Sequence, residues 1–395
     1  MILSSATGAE DTALLVDTIR AAVGRADPVD GRTDRVYRDG ALDRELWSVL
    51  GREIGIGALA VPENLGGLGT SFATVAAVLE TLGAELTRVP VLGAVVAAAA
   101  LTRCTEHPLA GDLLEGIASG TRIVATVVPG DECDAQSAES AFRAAEGGAG
   151  VTLTGRADFV LDGTVADTLL IHAVDRYGAL GLYAVDRVHL TVEPMESTDA
   201  TRGLARIHAE NAPATLLTDR PEPGRVRDRA LVALACDSLG VARACLDAAV
   251  AYAKERVQFG RLIGEFQAVK HMLAEVAVAV ELADSAVAHA VWAVEEGTDD
   301  ELAEAAAIAA IACGDAAGLA TATNVQVHGG IGFTWEHTAH LYYRRALSSS
   351  VLWGTADEHA QRLYRLATGR ADREGGTPSP EPVREPAPAL FATEH

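Results

Sequence analysis

Three stretches of the C-terminal half combine residue types suited to holding a large phosphorylated ligand. They are Glu255-Arg256-Val257-Gln258-Phe259-Gly260 with Phe266-Gln267, then Gln326-Val327-His328-Gly329-Gly330-Ile331-Gly332-Phe333, then Trp335-Glu336-His337. Arg256 offers a planar fork of donors that matches a pyrophosphate. Gly329 and Gly330 let backbone N–H groups approach a ligand closely, and Gln326 can bond both donor and acceptor edges of a ribityl or adenosine group. Each element also has a plain structural alternative: Arg256 as a surface ion-pair partner, Gly329-Gly330 as the stop of a helix. His271 and His337 lie beside these motifs, where a histidine without a positioned partner reads as packed or hydrogen-bonded rather than catalytic.

The elements that must position these residues fall into three zones. From Glu10 to about Ser119 apolar residues recur at three and four, most clearly in Thr12 to Val23 and Phe72 to Leu86, which predicts helices. Between them lies Val61-Pro62-Glu63-Asn64-Leu65-Gly66-Gly67-Leu68-Gly69, which is not G-x-G-x-x-G and follows no clear strand, so it reads as a connector and not a pyrophosphate cradle. From about Arg122 to Asp219 the period shortens to two over Arg122 to Val128, Val151 to Thr154, Thr168 to Val174, Gly178 to Val185, His189 to Glu193 and Ala214 to Thr218, which predicts a small antiparallel barrel or sandwich. After Pro221-Glu222-Pro223-Gly224, long helical patterns over Arg225 to Glu255, Phe266 to Gly297 and Asp300 to Val325 predict a bundle closed by a fourth helix after Thr355. The expected α+β organisation is a helical domain over 1–120, a β domain over 121–222, a four-helix bundle over 223–368 and a flexible Pro- and Gly-rich tail over 369–395.

Composition narrows the function classes. The 395 residues carry 32 Lys plus Arg against 55 Asp plus Glu, a net charge of −23, which argues against nucleic acid or an anionic membrane surface as a partner. Cys104, Cys133, Cys236, Cys245 and Cys313 are scattered and odd in number, so neither a zinc site nor a disulfide framework is expected, and a reducing cytoplasm fits best. The first residues show no secretory pattern, and the most apolar runs, Leu92 to Thr102 and Ala305 to Gly314, are about half the ~20 residues a membrane span needs.

Taken together and in this order, V-P-E-N-L-G-G-L-G, R-V-Q-F-G with F-Q, and Q-V-H-G-G-I-G-F resemble the acyl-CoA dehydrogenase family of flavoproteins over nearly the whole chain. The resemblance implies an FAD lying extended between the β domain and the bundle. It also implies that Arg256, Gln258, Phe259, Gln326, Gly329 and Gly330 reach the FAD bound mainly by a neighbouring subunit, within a dimer or a dimer of dimers. Thr355 corresponds to a flavin-side contact of the family. An acyl-CoA thioester as substrate and an electron-transfer flavoprotein as redox partner follow from the same likeness.

The family removes the α-proton of the thioester with a carboxylate while the β-hydrogen leaves as hydride. Removing so weak an acid calls for a carboxylate in a dry pocket. Family members carry that Glu in a Y-E-G-T segment, and the corresponding stretch Arg344 to Thr355 puts Trp353 there. A second lineage carries it ten residues before the Gly of an L-G pair, which from Gly240 falls on Ala230. Both positions lack a carboxylate, and Asp228, Asp237, Asp357 and Glu336 are the nearby acids that could stand in. The family's T-E-P-x-A-G-S-D and W-I-T flavin elements are not recognisable in Val127-Val128-Pro129-Gly130-Asp131-Glu132 or Phe159-Val160-Leu161-Asp162-Gly163.

HGGIGFTWEH, YYRRA and ERVQFGRLIGEFQAVKH look most like bacterial members that work as two unlike chains, including those acting on CoA thioesters of sterol side chains, in which one chain carries the Glu and the other does not. The expected function is therefore the subunit without the base, completing a partner's flavin site. The alternatives are a self-sufficient dehydrogenase with a relocated base, a flavin monooxygenase on the same fold, and a flavin-free structural chain.

Overall fold

In the computed structural model the described residues are 8–40, 42–130, 142–148 and 150–373. The N-terminal region holds helices α1 (Ala9–Ala26), α2 (Arg32–Asp39), α3 (Arg44–Trp47), α4 (Phe72–Ala84), α5 (Val91–Leu101) and α6 (Pro108–Ala118). The Ser71 hydroxyl opens α4 by accepting from the Thr74 N–H, an ordinary N-cap. Every residue of α5 is buried, so this helix is apolar on all sides.

The middle region contains β1 (Val124–Thr126), β2 (Phe142–Gly147), β3 (Gly150–Leu161), β4 (Thr168–Val174), β5 (Leu180–Asp186), β6 (Thr191–Pro194) and β7 (Leu204–Thr218) in one seven-stranded sheet. Its pairings close a ring: β4 with β2, β2 with β3, β3 with β7, β7 with β5, and β5 back to β4. The expected all-antiparallel arrangement is corrected in two places, because β1 and β2 both run parallel to β4. The cause is connectivity: each returns to β4 after a crossover rather than a tight turn. Two strands are also much longer than expected. β3 and β7 carry irregularities between Leu153 and Gly155 and between Ala157 and Val160, which interrupt the alternation that a period of two relies on.

The C-terminal region contains α7 (Pro223–Glu255), the two-stranded hairpin β8 (Val257–Gln258) and β9 (Arg261–Leu262), then α8 (Gln267–Glu295), α9 (Asp299–His328), α10 (Ala339–Ser349) and α11 (Ala356–Arg373). Five helices stand here where four were expected, the additional one being α10, only 11 residues long, just before the helix that follows Thr355. α11 runs to Arg373 and so crosses the expected tail boundary at 368; the rest of the tail, like Cys133, Asp131 and Glu132, lies outside the described residues. α8 and α9 are long and apolar enough by composition to cross a membrane, unlike the shorter runs singled out in the sequence. In the fold α9 packs on both α7 and α8, and its buried residues include Ala305, Ala309, Cys313, Ala316 and Ala320. Glycines set the closest approach of the N-terminal region to the bundle. A Cβ on Gly240 of α7 would sit 1.9 Å from the Glu80 carbonyl oxygen, and one on Gly83 of α4 would sit 2.1 Å from that of Asp237.

Candidate functional site

α7 ends where the Arg256 N–H donates to the Tyr252 carbonyl at 2.9 Å, and the Ile263 N–H closes the hairpin on the Arg256 carbonyl at 2.8 Å. At its tip Phe259 has φ 54°, a left-handed backbone that a bulky residue adopts only under constraint, and its side chain is 92% exposed. Its ring meets Phe266 edge-on at 6.1 Å, while the Arg261 guanidinium lies 3.9 Å over Phe266. α9 stops at Gly329, whose φ of 61° favours glycine. One residue earlier the His328 ring stacks on Tyr252 at 4.3 Å, with Nδ1 2.8 Å from the Asn324 carbonyl oxygen. That stack holds the end of α9 against the last turn of α7. It brings Arg256, Gln258 and Phe259 to the same end of the bundle as Gln326, Gly329 and Gly330, with Arg256, Gln258, Gln326 and Gly330 exposed. A Cβ on Gly329 or Gly330 would meet nothing within 4 Å, so packing within the chain does not require glycine at 330.

A second, larger feature is a cleft of about 540 Å³ between the sheet and the bundle. Thr126 to Val128, Phe159, Met195 to Thr198, Leu347, Val351 and Trp353 line it. Phe159 and Trp353 both have left-handed backbones, with φ 58° and 65°, and conformations of this kind cost about 1–3 kcal/mol each unless the surroundings enforce them. Trp353 also lines an adjoining cavity of about 430 Å³ with Gly354, Arg227, His359 and Arg362, so it is shared by the two. Thr355 begins α11: its N–H and hydroxyl contact the Glu358 carboxylate at 2.7 and 3.0 Å, and it accepts from the Glu358 N–H at 3.3 Å.

None of the four acids singled out in the sequence lines that cleft. Asp228 is buried and held by Arg362 at 2.7 Å and Arg227 at 3.5 Å; burial raises its pKa while those two guanidiniums oppose the rise. Asp237 is buried between Arg202 at 2.5 Å and Arg345 at 3.0 Å, and Asp357 and Glu336 are exposed. Ala230 is fully buried on α7. Two carboxylates that the sequence did not single out do line the cleft. Asp158 is gripped by Arg206 at 2.8 and 3.0 Å, which holds its pKa below the usual carboxylate range, and Glu196 sits exposed at the edge. Asp158 is thus tuned opposite to a base that must gain affinity for a proton. No spacing in the sequence marked either residue, because both enter through the fold of the sheet. His271 is exposed, and His337 lies 4.5 Å from His328 with its pKa lowered by burial and then by that neighbour.

The Asp237 pairs belong to a buried junction of all three regions. Arg345 of α10 also donates to the Thr201 hydroxyl at 2.9 Å and the Thr87 carbonyl at 3.2 Å, and lies 3.3 Å from Asp199. Arg202 donates to the Ser349 hydroxyl at 2.6 Å. A small void of about 30 Å³ beside this network is lined by Asp162, whose pKa is pushed up to about 7 by desolvation against the pull of Arg202, Arg345 and the Gly93 backbone.

Comparison with known proteins agrees with this architecture. Residues 9–121 match the family model described as acyl-CoA dehydrogenase, N-terminal domain, and residues 228–367 match acyl-CoA dehydrogenase, C-terminal domain. The chain is 34% identical over 358 residues to acyl-CoA dehydrogenase IpdE2 of Mycobacterium tuberculosis, covering 90% of this chain and 97% of the relative. Among solved structures it is similar to the ChsE4-ChsE5 complex of Mycobacterium tuberculosis, with 28% identity, TM-score 0.81 and coverage of 95% and 100%. It is similar also to a steroid ACAD, Tcur3481-Tcur3483, with 29% identity, TM-score 0.80 and coverage of 92% and 99%. The motifs, the order of the three regions and these likenesses together show that the chain belongs to the acyl-CoA dehydrogenase family.

Proposed function

We propose that this chain is the subunit of a hetero-oligomeric, FAD-dependent acyl-CoA dehydrogenase that carries no α-proton base and completes the flavin site of its partner. The observation that carries the proposal is the combination at the two base positions: Trp353, in a left-handed backbone and lining the cleft, and Ala230, fully buried. Neither side chain can take a proton. Asp228 and Asp237 are held in ion pairs, and Asp158 in the cleft is gripped by Arg206, which holds its pKa below the usual carboxylate range, so none of these three supports a relocated base.

The cofactor of the family is FAD, which when bound accepts the β-hydrogen of the thioester as hydride. The bundle end suits such a group. Gly330 leaves open the space that a Cβ would fill, Gln326 and Gln258 are exposed, and Arg256 presents an exposed guanidinium of the kind that pairs with a pyrophosphate. Phe259 offers an exposed ring that gains burial only from a second chain. In this reading these residues bind, orient and shield the partner's cofactor from water, while the partner supplies the carboxylate. The likenesses to ChsE4-ChsE5 and to Tcur3481-Tcur3483, whose names each pair two chains, support the hetero-oligomer, and the second supports a bulky alicyclic acyl group on the thioester. An electron-transfer flavoprotein would then reoxidise the pair.

The test is purification of this chain alone and with a companion dehydrogenase-like chain, followed by flavin absorbance and native mass spectrometry. Flavin should appear in the pair and fall when Arg256→Ala and Gln326→Ala are introduced into this chain. A yellow homo-oligomer formed by this chain alone would refute the proposal.

A further inference from the structure

The Val61–Gly69 segment takes no part in the flavin reading, yet it is folded to a fixed shape. The Gly67 N–H donates to the Pro62 carbonyl at 3.0 Å, the Leu68 N–H to Ala58 at 2.9 Å and the Gly69 N–H to Val61 at 3.1 Å. The Thr70 hydroxyl donates to the Leu59 carbonyl at 2.9 Å. A Cβ on Gly67 would stand 1.9 Å from the Val61 carbonyl oxygen, so this crossing exists only with glycine. The loop walls one side of a cavity of about 580 Å³, faced by Phe72 and Val75 of α4, Val95 and Ala99 of α5, and Arg229 of α7.

Arg229 is out of keeping with those walls. It donates to the Val294 carbonyl at 3.3 Å, while its Nε is buried without a hydrogen-bond partner. Among the described residues no carboxylate pairs with it. Its charged neighbours are Arg225 and Arg103, themselves paired with Asp299 and Glu222, and desolvation followed by these two cations lowers its pKa. Glu295, the carboxylate in the same cavity, already accepts from the Phe72 and Ala73 N–H groups at the start of α4. A largely desolvated cation with no counter-charge is costly unless something from outside supplies one.

We propose that this cavity is a second ligand site, for a small monocarboxylate with an apolar body, its carboxylate on Arg229 and its body against Val75, Val95 and Ala99. One guanidinium balances one negative charge, and Glu295 together with the net charge of −23 disfavours a polyanion. A bare inorganic anion would meet the guanidinium but leave the apolar faces of Val75, Val95 and Ala99 uncovered, and the volume falls within the roughly 300–1,000 Å³ of small-molecule sites. No residue is shared between the linings of this cavity and the 540 Å³ cleft, so the proposal stands or falls independently of the flavin reading.

Calorimetric titration of the full chain with octanoate, 1-octanol and inorganic phosphate tests it. Octanoate should bind one per chain, octanol roughly tenfold or more weaker, and phosphate not at all. Arg229→Met should weaken octanoate at least about tenfold while raising Tm, because it deletes a cation without a counter-charge. Ala99→Phe, which fills the cavity, should also abolish binding, and Leu347→Trp in the other cleft should leave it unchanged. Absence of octanoate binding, equal affinity in Arg229→Met, loss in Leu347→Trp alone, or a lowered Tm in Arg229→Met would each overturn the proposal.

Discussion

Replacing Asp237 separates a structural ion from a catalytic one, and the structure fixes what should happen. Its two oxygens accept from Arg202 at 2.5 Å and Arg345 at 3.0 Å, all three side chains being buried where the three regions meet. In Asp237→Ala, Arg345 keeps Asp199 at 3.3 Å, whereas Arg202 keeps only the Ser349 hydroxyl at 2.6 Å among the contacts described above. A buried guanidinium loses its charged partner, so the variant should be destabilised by about 3–5 kcal/mol. Removing the orphan as well should reverse much of that loss: Asp237→Leu with Arg202→Met should return to within about 1–2 kcal/mol of the parent, a coupling of at least about 2 kcal/mol in a double-mutant cycle. Urea unfolding followed by far-UV circular dichroism measures the parent, Asp237→Ala, the two single changes Asp237→Leu and Arg202→Met, and their combination. A parent-like Asp237→Ala, or additive single changes, would refute the keystone role. Unchanged stability with turnover lost in the assembled enzyme would instead make Asp237 the base.

Asp162 should make stability depend on pH. Its folded pKa of about 7 lies above its ordinary value of 3.8, so the native state holds a proton that the unfolded state releases. Stability should therefore fall as pH rises from about 4 to 7, and Asp162→Asn should flatten that slope in urea midpoints taken across the range. Gly240→Ala, which drives a Cβ to 1.9 Å from the Glu80 carbonyl oxygen, should cost about 1–3 kcal/mol or more. Gly314→Ala in α9, where a Cβ meets nothing within 4 Å, should instead stabilise by about 0.5–1 kcal/mol; both are read from unfolding midpoints. Thr355→Ala, which deletes the reciprocal cap with Glu358, should cost about 1 kcal/mol on the same scale.

The long helices were legible because each buries a stripe that repeats every three to four residues, with Pro223 opening α7 and Gly329 closing α9. The strands were legible where one face is buried without interruption, as in β4, and not where the ladder is irregular, as through Gly155 in β3. At the site, residue types alone picked out Arg256, Gln326 and the glycines. The Tyr252 and His328 stack that unites them joins positions 76 residues apart, and nothing local in either segment announces it. The same holds for Asp158: its partner Arg206 comes from β7, so a carboxylate tied down in three dimensions looks in sequence like any exposed strand residue.

Phe159, Phe259 and Trp353 are aromatic residues held in the left-handed region, two lining the cleft and one at the hairpin tip. Phe159 and Phe259 are 58% and 92% exposed, so the chain's own packing does not compensate the cost of holding them there. If the hairpin strain were relieved by a partner's surface, Phe259→Gly would relax the isolated chain yet weaken the assembled pair. Opposite signs for the same substitution, in Tm of the chain alone and in dissociation of the pair, would distinguish a docking residue from a poorly accommodated loop, because a loop with no partner should change only the first.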